Sequence, residues 1–363
     1  MKIVVSGYYG SKNGGDEAML SAMLEVLREE VADLSVTVIS LNPEYTKRRH
    51  NVDAVPWLDI WSIIKKIRAA DLLISGGGSL LQNVTSGRSL YYYLAIIFFA
   101  LACKRKVMLY AQGIGPIRGM LAHKLMNLIL NRVDLITVRD RGSLEELSRL
   151  KITCPEIYCT ADPVLAIKPV PLEFGEKILA RHSITRNGKF IGVAIRHWID
   201  WEHFQHELAT ALDKIAETTD AKIIFIPMKF PEDIRAAQST AALMKNCAVL
   251  DEEFTTQEIL SLVGCMDILI GVRLHALIFA GVMNVPMLGI SYDPKIERFL
   301  DSIGEKPLGT LSDVTADKIF DETLKKLSAH KNFRNDALLK ELGELARKNA
   351  KLAVALAKQL SLT

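Results

Sequence analysis

The sequence has few of the features that mark disulfide-rich, zinc-binding or secreted proteins. Its five cysteines among 363 residues are scattered and include no Cys-x-x-Cys pair, so we expect reduced thiols rather than disulfides or zinc. The chain starts with a strand-like run, Met1–Gly7, without the longer apolar stretch and small-residue cleavage site of a signal peptide. These absences predict a cytoplasmic protein.

Long apolar runs are also missing. The most apolar segment, Tyr91–Cys103, is shorter than the roughly 20 residues that a membrane span requires. A buried helix explains this segment. The alternative is a helix that partly faces the inner side of a membrane, with the basic run Lys104–Lys106 next to anionic lipid. The net charge of +3 comes from interleaved acidic and basic residues, so no nucleic-acid partner is expected.

Several catalytic signatures are absent. There is no Asp-x-Asp pair for a divalent metal with a nucleotide diphosphate, and no Gly-x-Ser-x-Gly elbow for a serine nucleophile. His203-x-x-His206 has helical ligand spacing but no third ligand nearby, which favours a solvated helix start. The first glycine-rich loop has neither dinucleotide-binding nor P-loop spacing. We therefore expect no metal and no cofactor.

What the chain does have is an alternation of strand-like and helical patterns, which is typical of parallel sheets with crossover helices. Breaker residues between Ala166 and Lys189 interrupt it. They predict two α/β lobes facing a cleft, an N-terminal lobe over 1–168 and a C-terminal lobe over 186–330. Leucines at helical spacing predict a terminal helix over 335–361, which we expect to cross back to the first lobe.

Glycine-rich turns follow the strands of the first lobe, at the edge where open parallel sheets bind ligands. We expect a shallow polar surface there for an uncharged, hydroxyl-rich ligand. Alternatively, each turn alone is a tight connection and Asp16 a helix cap. The candidate ligand-binding residues are Asn13, Gly14, Gly15, Asp16, Gly77, Gly78, Asn83 and Gln112.

Cationic residues follow the strands of the second lobe, and four cationic strand ends on one edge predict a site for a small ligand with several negative groups. A solvated surface charge is the alternative for each cation alone. Arg273 and His275 would point about 200° apart in a regular helix, so they share a ligand only if Arg273 precedes it. The candidates are Arg196, Lys229, Arg273, Leu274, His275, Tyr292 and Lys295.

Together these motifs resemble the polysaccharide pyruvyl transferases, in particular the bacterial secondary-cell-wall-polymer pyruvyltransferases. The resemblance covers almost all of the chain before Lys306. Its motifs are Gly7–Asp16, Gly76–Gly78, Gln112–Pro116, Arg139-Asp140, Ala161–Pro163, Ile226–Met228, Arg273–His275 and Tyr292–Lys295. It implies two Rossmann-like lobes of the GT-B glycosyltransferase type. It also implies transfer of enolpyruvate from phosphoenolpyruvate onto a sugar as a cyclic ketal.

The resemblance further implies that Arg196 and Arg273–His275 hold phosphoenolpyruvate. We expect His275 to protonate its methylene carbon or assist phosphate departure, and Asp16 to act as the acceptor base. The implied acceptor is a lipid-linked cell-wall sugar such as N-acetylmannosamine, modified at its 4- and 6-hydroxyls. Asn83 stands where the family pattern leads us to expect an acidic residue. Two rival functions remain: a nucleotide-sugar-dependent GT-B glycosyltransferase, and a non-catalytic sugar- or phosphate-binding protein.

Overall fold

The computed structural model describes residues 1–84, 87–199, 201–329 and 336–359. They form two compact units. The first comprises Met1–Ser11, Asp16–Ile167 and the chain from Glu341, and the second comprises Lys12–Gly15 and Lys168–Lys340. Both are α/β, as the alternation predicts. Within the described ranges, no helix is long and apolar enough to cross a membrane.

The first unit is built on an eight-stranded sheet in which all pairs are parallel. Its central strands are buried apolar runs, as expected for a parallel sheet covered on both faces. The order β3-β2-β1-β4-β6-β7-β8, with β5 paired to β6, changes direction between β1 and β4. The strands are β1 (Lys2–Tyr9), β2 (Ser35–Ser40), β3 (Asp53–Pro56), β4 (Leu72–Ser75), β5 (Gly78–Leu81), β6 (Lys106–Ile114), β7 (Leu135–Val138) and β8 (Glu156–Cys159).

Six helices connect these strands, and a 3₁₀ turn over Pro163–Ala166 follows β8. The third, fourth and fifth pack side by side and share one apolar core with the sheet. The helices are α1 (Gly14–Glu30), α2 (Pro43–His50), α3 (Ile60–Ala69), α4 (Gly87–Ala102), α5 (Met120–Leu130) and α6 (Arg141–Arg149).

The second unit has a five-stranded parallel sheet of order β11-β10-β9-β12-β13. Its strands are β9 (Phe190–Ala194), β10 (Lys222–Phe225), β11 (Ala248–Val249), β12 (Ile268–Gly271) and β13 (Met287–Gly289). Its helices are α7 (Glu173–Arg181), α8 (Trp201–Thr219), α9 (Glu232–Ala241), α10 (Thr256–Gly264), α11 (Leu274–Val282), α12 (Pro294–Ser302) and α13 (Ala316–Ser328).

The last helix, α14 (Asp336–Lys358), belongs to the first unit from Glu341 onward. Its fully buried Asn349 accepts a hydrogen bond from the Thr160 hydroxyl at 2.8 Å. Arg347 donates to the carbonyl oxygen of Ala166 at 3.3 Å. The predicted return of the terminal helix to the first lobe is therefore confirmed.

The interval between Ala166 and Lys189 differs from the sequence-based expectation, which placed only a boundary there. Helix α7 lies in this interval and packs against α10 of the second unit. Its Gly175 N–H donates to Ser261 Oγ at 2.7 Å, and a Cβ at Gly175 would lie 2.6 Å from the Ser261 carbonyl oxygen. The prolines end the neighbouring elements, but they leave room for a nine-residue helix that buries Ile178 and Leu179.

Candidate active site

In the second unit the strand order changes direction between β9 and β12, and open parallel sheets bind ligands in the crevice at such a switch point. Arg196 follows β9 and Arg273 follows β12. Tyr292 and Lys295 follow β13, which pairs with the other side of β12. These predicted residues therefore share one edge of the sheet.

Arg196 lies against two aromatic rings. Its Nη1 donates to the Tyr292 hydroxyl at 3.0 Å, and its guanidinium carbon lies 4.6 Å from the centre of the Trp198 ring. The Trp198 and Tyr292 rings are themselves 5.0 Å apart. Within the described chain, the buried Nε of Arg196 has no hydrogen-bond partner. The guanidinium is thus fixed in place with unused donor capacity.

The pKa of the Tyr292 phenol reflects the balance of charges at this edge of the sheet. Burial alone would raise the pKa of its phenol, because the charged form loses water. The positive charges of Lys295, Arg196 and Arg273 outweigh burial and lower the pKa below the usual value, aided by the hydrogen bond from Arg196. The edge therefore carries an excess of positive charge that an anionic ligand would neutralise.

Arg273 is held by a buried carboxylate. Its Nη2 forms a salt bridge with Asp233, whose side chain is 2% exposed. The other oxygen of Asp233 accepts hydrogen bonds from the backbone N–H groups of Met228 and Lys229, at 3.2 and 2.9 Å. The Nε of Arg273 has no hydrogen-bond partner in the described residues. As with Arg196, the guanidinium is positioned and keeps a free donor.

Helix α11 starts directly after Arg273. The helix begins at Leu274, and Arg273 is its N-cap residue in an extended conformation with no side-chain cap. Arg273 therefore precedes the helix, which is the condition for sharing a ligand with His275. The Leu274 side chain is buried, so only its backbone can face a ligand. The open helix start adds N–H groups and a partial positive charge to the edge.

The segment Lys12–Gly15 groups with the second unit, although we expected its glycines to serve the first lobe. The Gly14 N–H donates to the Met228 carbonyl oxygen at 2.6 Å, and Asn13 forms an antiparallel bridge with Lys229. A Cβ at Gly15 would lie 2.2 Å from Nδ1 of His275, so the imidazole rests directly on the Gly15 backbone. These contacts join residues far apart in sequence, which a local pattern cannot predict.

Lys229 and Lys295 have acidic neighbours. Lys229 Nζ lies 2.8 Å from Glu232, and Lys295 Nζ lies 3.2 Å from Asp293. Lys295 also lies 5.4 Å from the centre of the Tyr292 ring. All four side chains of the two pairs are at least a quarter exposed, so the pairs hold the lysines weakly and water screens them.

The first unit contains a cavity of about 620 Å³ beside Asp16. Trp57 and Tyr92 form one wall with their rings 5.5 Å apart, edge to face, and the Tyr92 hydroxyl donates to the Trp57 carbonyl oxygen at 2.8 Å. Arg88 and Gln82 add polar groups. Aromatic walls with a few convergent polar groups are typical of small-molecule sites.

Burial sets the protonation of the cavity phenols. It raises the pKa of Tyr92 to about 12. It also raises the pKa of Tyr93, where the negative charge of Asp16 adds to the effect. Both phenols therefore stay protonated near neutral pH.

Comparison with known protein families identifies the family of this chain. A family model for polysaccharide pyruvyl transferases matches residues 13–294, which is most of the chain. The chain belongs to the polysaccharide pyruvyl transferase family. This confirms the family predicted from the motifs.

A curated relative and several solved structures resemble this pyruvyl transferase family member. The amylovoran biosynthesis protein AmsJ of Erwinia amylovora is 21% identical, over 84% of this chain and 86% of AmsJ. The UDP-GlcNAc 2-epimerase from Methanocaldococcus jannaschii has a TM-score of 0.70 at 13% identity, over 98% and 100% of the two chains. Anabaena Alr3699/HepE, solved with UDP-glucose, has a TM-score of 0.65 at 12% identity over both whole chains. These likenesses show the GT-B-like fold.

Three predicted site residues of this pyruvyl transferase chain are buried in packing. A Cβ at Gly77 or Gly78 would meet Met19 of α1 at 3.1 or 3.2 Å, and Gly78 has a φ of +97°. Strand β6 runs through Gln112, where we predicted a turn, and the Gln112 amide donates to the carbonyl oxygens of Ser75 and Gly76. These residues fix the turn after β4, so they do not form the expected polar surface.

Asn83 likewise has a structural role. Its side chain donates to the Arg118 carbonyl oxygen at 2.6 Å and accepts from the Arg118 N–H at 2.8 Å, joining two loops. Its neighbour Gln82 faces the cavity instead. We did not single out Trp57, Arg88 or Tyr92 as ligand contacts. The tyrosine run around Tyr92 was a visible signal, but its hydrophobicity favoured a core helix.

Proposed function

We propose that this protein transfers the enolpyruvate group of phosphoenolpyruvate to two hydroxyls of a polysaccharide sugar, forming a cyclic ketal and releasing phosphate. Family membership supports pyruvyl transfer to a polysaccharide. The observation that carries the donor is the placement of Arg196, Arg273 and Lys295 around the buried Tyr292, where their positive charges lower the pKa of the phenol and where a doubly anionic ligand would bind.

The second unit supplies the groups that such a donor needs. Arg196 and Arg273 offer planar guanidinium forks, which pair well with carboxylate and phosphate. The open start of α11 offers backbone N–H groups to one of these anions. Lys295 and Lys229 add charge at the border of the site. In this proposal the arginines orient the donor and the lysines attract it.

His275 is the proposed proton donor. It protonates the methylene carbon of phosphoenolpyruvate, which becomes a methyl group and leaves the adjacent carbon electrophilic. One sugar hydroxyl adds to that carbon as Asp16 accepts its proton. The bond to the phosphate oxygen then breaks, and phosphate leaves with the bonding electrons. The second hydroxyl adds and closes the ring, and its proton passes to the deprotonated His275, which restores the proton donor. The arginines stabilise the departing phosphate.

The cavity beside Asp16 is the proposed acceptor site. A pyranose presents a flat apolar face, which packs on rings such as Trp57 and Tyr92, and hydroxyls, which bond to polar groups such as Gln82. Asp16 lies in the same cavity, where a carboxylate can accept a hydroxyl proton. We propose an amino sugar on a lipid carrier, such as N-acetylmannosamine modified at its 4- and 6-hydroxyls.

The test is incubation with phosphoenolpyruvate and a panel of amino-sugar glycosides with short lipid-like tails. The proposal predicts phosphate release matched by an acceptor mass gain of one pyruvate minus one water. Arg196→Ala should abolish both, whereas Lys177→Ala, an exposed lysine on α7, should not. Absence of any mass gain across the panel would contradict the transferase.

A ligand-protection experiment distinguishes the rival function, a nucleotide-sugar glycosyltransferase, from the proposed pyruvyl transfer. The MnaA and Alr3699/HepE structures contain UDP or UDP-glucose, at 11% and 12% identity to this chain. If the present proposal holds, phosphate and phosphoenolpyruvate protect the second unit from proteolysis and UDP-glucose does not. Protection by UDP-glucose alone would favour the glycosyltransferase. Saturable binding of phosphoenolpyruvate without turnover would favour a binding protein.

A further inference from the structure

Helices α3, α4 and α5 present apolar side chains to solvent. Trp61 is 85% exposed on α3, and Leu58 just before this helix is 68% exposed. Tyr91 and Phe98 are exposed on α4, seven residues apart and so on one side of the helix. On α5, exposed apolar residues are Met120, Leu121 and Leu128. We call the outer surface of these three packed helices the α3–α5 face.

The α3–α5 face is also strongly cationic. Residues 57–133 include two acidic residues: Asp59 caps the start of α3, and Asp71 accepts a hydrogen bond from the Lys2 N–H. They include ten basic residues: Lys65, Lys66, Arg68, Arg88, Lys104, Arg105, Lys106, Arg118, Lys124 and Arg132. Seven are exposed, namely Lys65, Arg68, Arg88, Lys104, Arg118, Lys124 and Arg132. With a whole-chain net charge of only +3, the positive charge is concentrated here.

We propose that the α3–α5 face docks peripherally on an anionic lipid bilayer. Aromatic and aliphatic side chains interleaved with lysine and arginine are what an interfacial surface requires: the rings enter the headgroup region and the cations pair with lipid phosphates. A second copy of this chain is a poor occupant, because two such faces would bring ten basic residues from each copy together with only Asp59 and Asp71 to pair them. Acidic residues return directly after α5, with Asp134, Asp140 and Glu145, so the face ends at α5.

The face adjoins the cavity beside Asp16. Trp57 lines the cavity and is followed by the exposed Leu58, and Arg88 lines it one turn before Tyr91. Docking would therefore place the cavity beside the bilayer, where an acceptor attached to a lipid resides. Access of the cavity to a lipid-attached acceptor rests on the proposed function, but the docking on the bilayer does not.

The test is flotation of the full chain with phosphatidylcholine vesicles, with and without phosphatidylglycerol. We expect binding only to the anionic vesicles, weakening with added salt. The triple variant Lys65→Glu, Lys104→Glu, Lys124→Glu should lose about 100-fold or more in partitioning, since each cation near an anionic surface contributes roughly fivefold. The matched triple Lys177→Glu, Lys306→Glu, Lys351→Glu changes three exposed lysines elsewhere by the same charge and should bind nearly as the parent does.

Insertion of the apolar side chains into the bilayer is measured separately, by tryptophan fluorescence. Anionic vesicles should shift tryptophan emission to the blue, and Trp61→Phe should remove most of the shift. Trp61→Ser with Phe98→Ser should weaken binding, whereas Phe174→Ser with Leu243→Ser, exposed apolar residues of the second unit, should not. The proposal would be overturned if both charge triples lost binding equally, or if neutral vesicles bound as well as anionic ones. It would also be overturned if the chain bound no vesicles and instead formed a dimer that the first triple variant dissociates. Turnover of a water-soluble acceptor reports separately on the proposed function.

Discussion

Arg196 and Tyr292 meet across the end of β12: Nη1 of Arg196 donates to the Tyr292 hydroxyl at 3.0 Å, although their strands, β9 and β13, lie on opposite sides of β12. The pair spans the strand that leads to Arg273. Three cationic side chains therefore act on one buried phenol, and this gives the site a measurable electrostatic signature.

Tyr292 should ionise at lower pH than an ordinary tyrosine. A phenolate absorbance titration of the folded protein should show one early transition that Tyr292→Phe removes and that saturating phosphate moves upward by neutralising the cations. Because its folded-state pKa lies below the unfolded value of 10.0, Tyr292 ionisation adds stability above pH 10. That contribution is lost as the pH falls through the folded-state pKa. An unchanged titration in Tyr292→Phe would contradict this charge balance.

Arg273→Met should destabilise the second unit, because it leaves the carboxylate of Asp233 buried and without its partner. Urea denaturation should show a loss of about 3 kcal/mol. The double variant Arg273→Met, Asp233→Asn should recover part of the lost free energy of unfolding. Lys229→Met breaks a half-exposed pair with Glu232 and should cost less than about 1 kcal/mol. Purely additive effects of Arg273→Met and Asp233→Asn would show that the two residues are not coupled.

Gly15→Ala should reduce turnover, and relief of the new contact should cost about 1–3 kcal/mol of stability. The new methyl group would lie where Nδ1 of His275 now rests, so the imidazole must move. A displaced catalytic group of this kind costs about 100-fold in rate. Gly87→Ala is the matched control, since a Cβ at the first residue of α4 meets nothing within 4 Å. Equal rates for the two variants would remove His275 from the reaction or show that its position tolerates this shift.

Asn349→Ala should weaken the attachment of α14 to the first unit. The change removes one of the two acceptors of the Thr160 hydroxyl and the amide donor to the Ala161 carbonyl oxygen inside a fully buried site, and it should cost about 1–3 kcal/mol. Lys351→Ala on the exposed side of the same helix should stay within about 0.5 kcal/mol. Chemical denaturation measures both. Indistinguishable unfolding curves would mean that this contact does not anchor the helix.

Periodicity predicted most of the strands and helices, because each element's own residues determine its apolar pattern. The cationic strand ends were also visible for this reason: Arg196 and Arg273 directly follow apolar strands, and strand ends in a parallel sheet meet at one edge. Helix geometry set the condition that Arg273 must precede α11 to share a ligand with His275, and the structure meets that condition.

The remaining features of the site depend on contacts between residues far apart in sequence, which local sequence patterns do not encode. Nothing in Asn13-Gly14-Gly15 indicates that Met228 and His275 lie against it. Gln112 looks like a polar turn residue, but it is buried as the partner of backbone carbonyl groups two strands away in sequence. Trp57 and Tyr92 define a cavity only because α4 packs beside the end of β3.

The most direct test of the central account is the reaction run in deuterium oxide, with the product followed by NMR and mass spectrometry. Protonation of the donor's methylene carbon by an exchangeable group predicts one deuterium in the ketal methyl group and one phosphate released per acceptor modified. His275→Gln should lower the rate of both together. An unlabelled ketal methyl, a product that keeps the phosphate, or phosphate release with no modified acceptor would contradict the account.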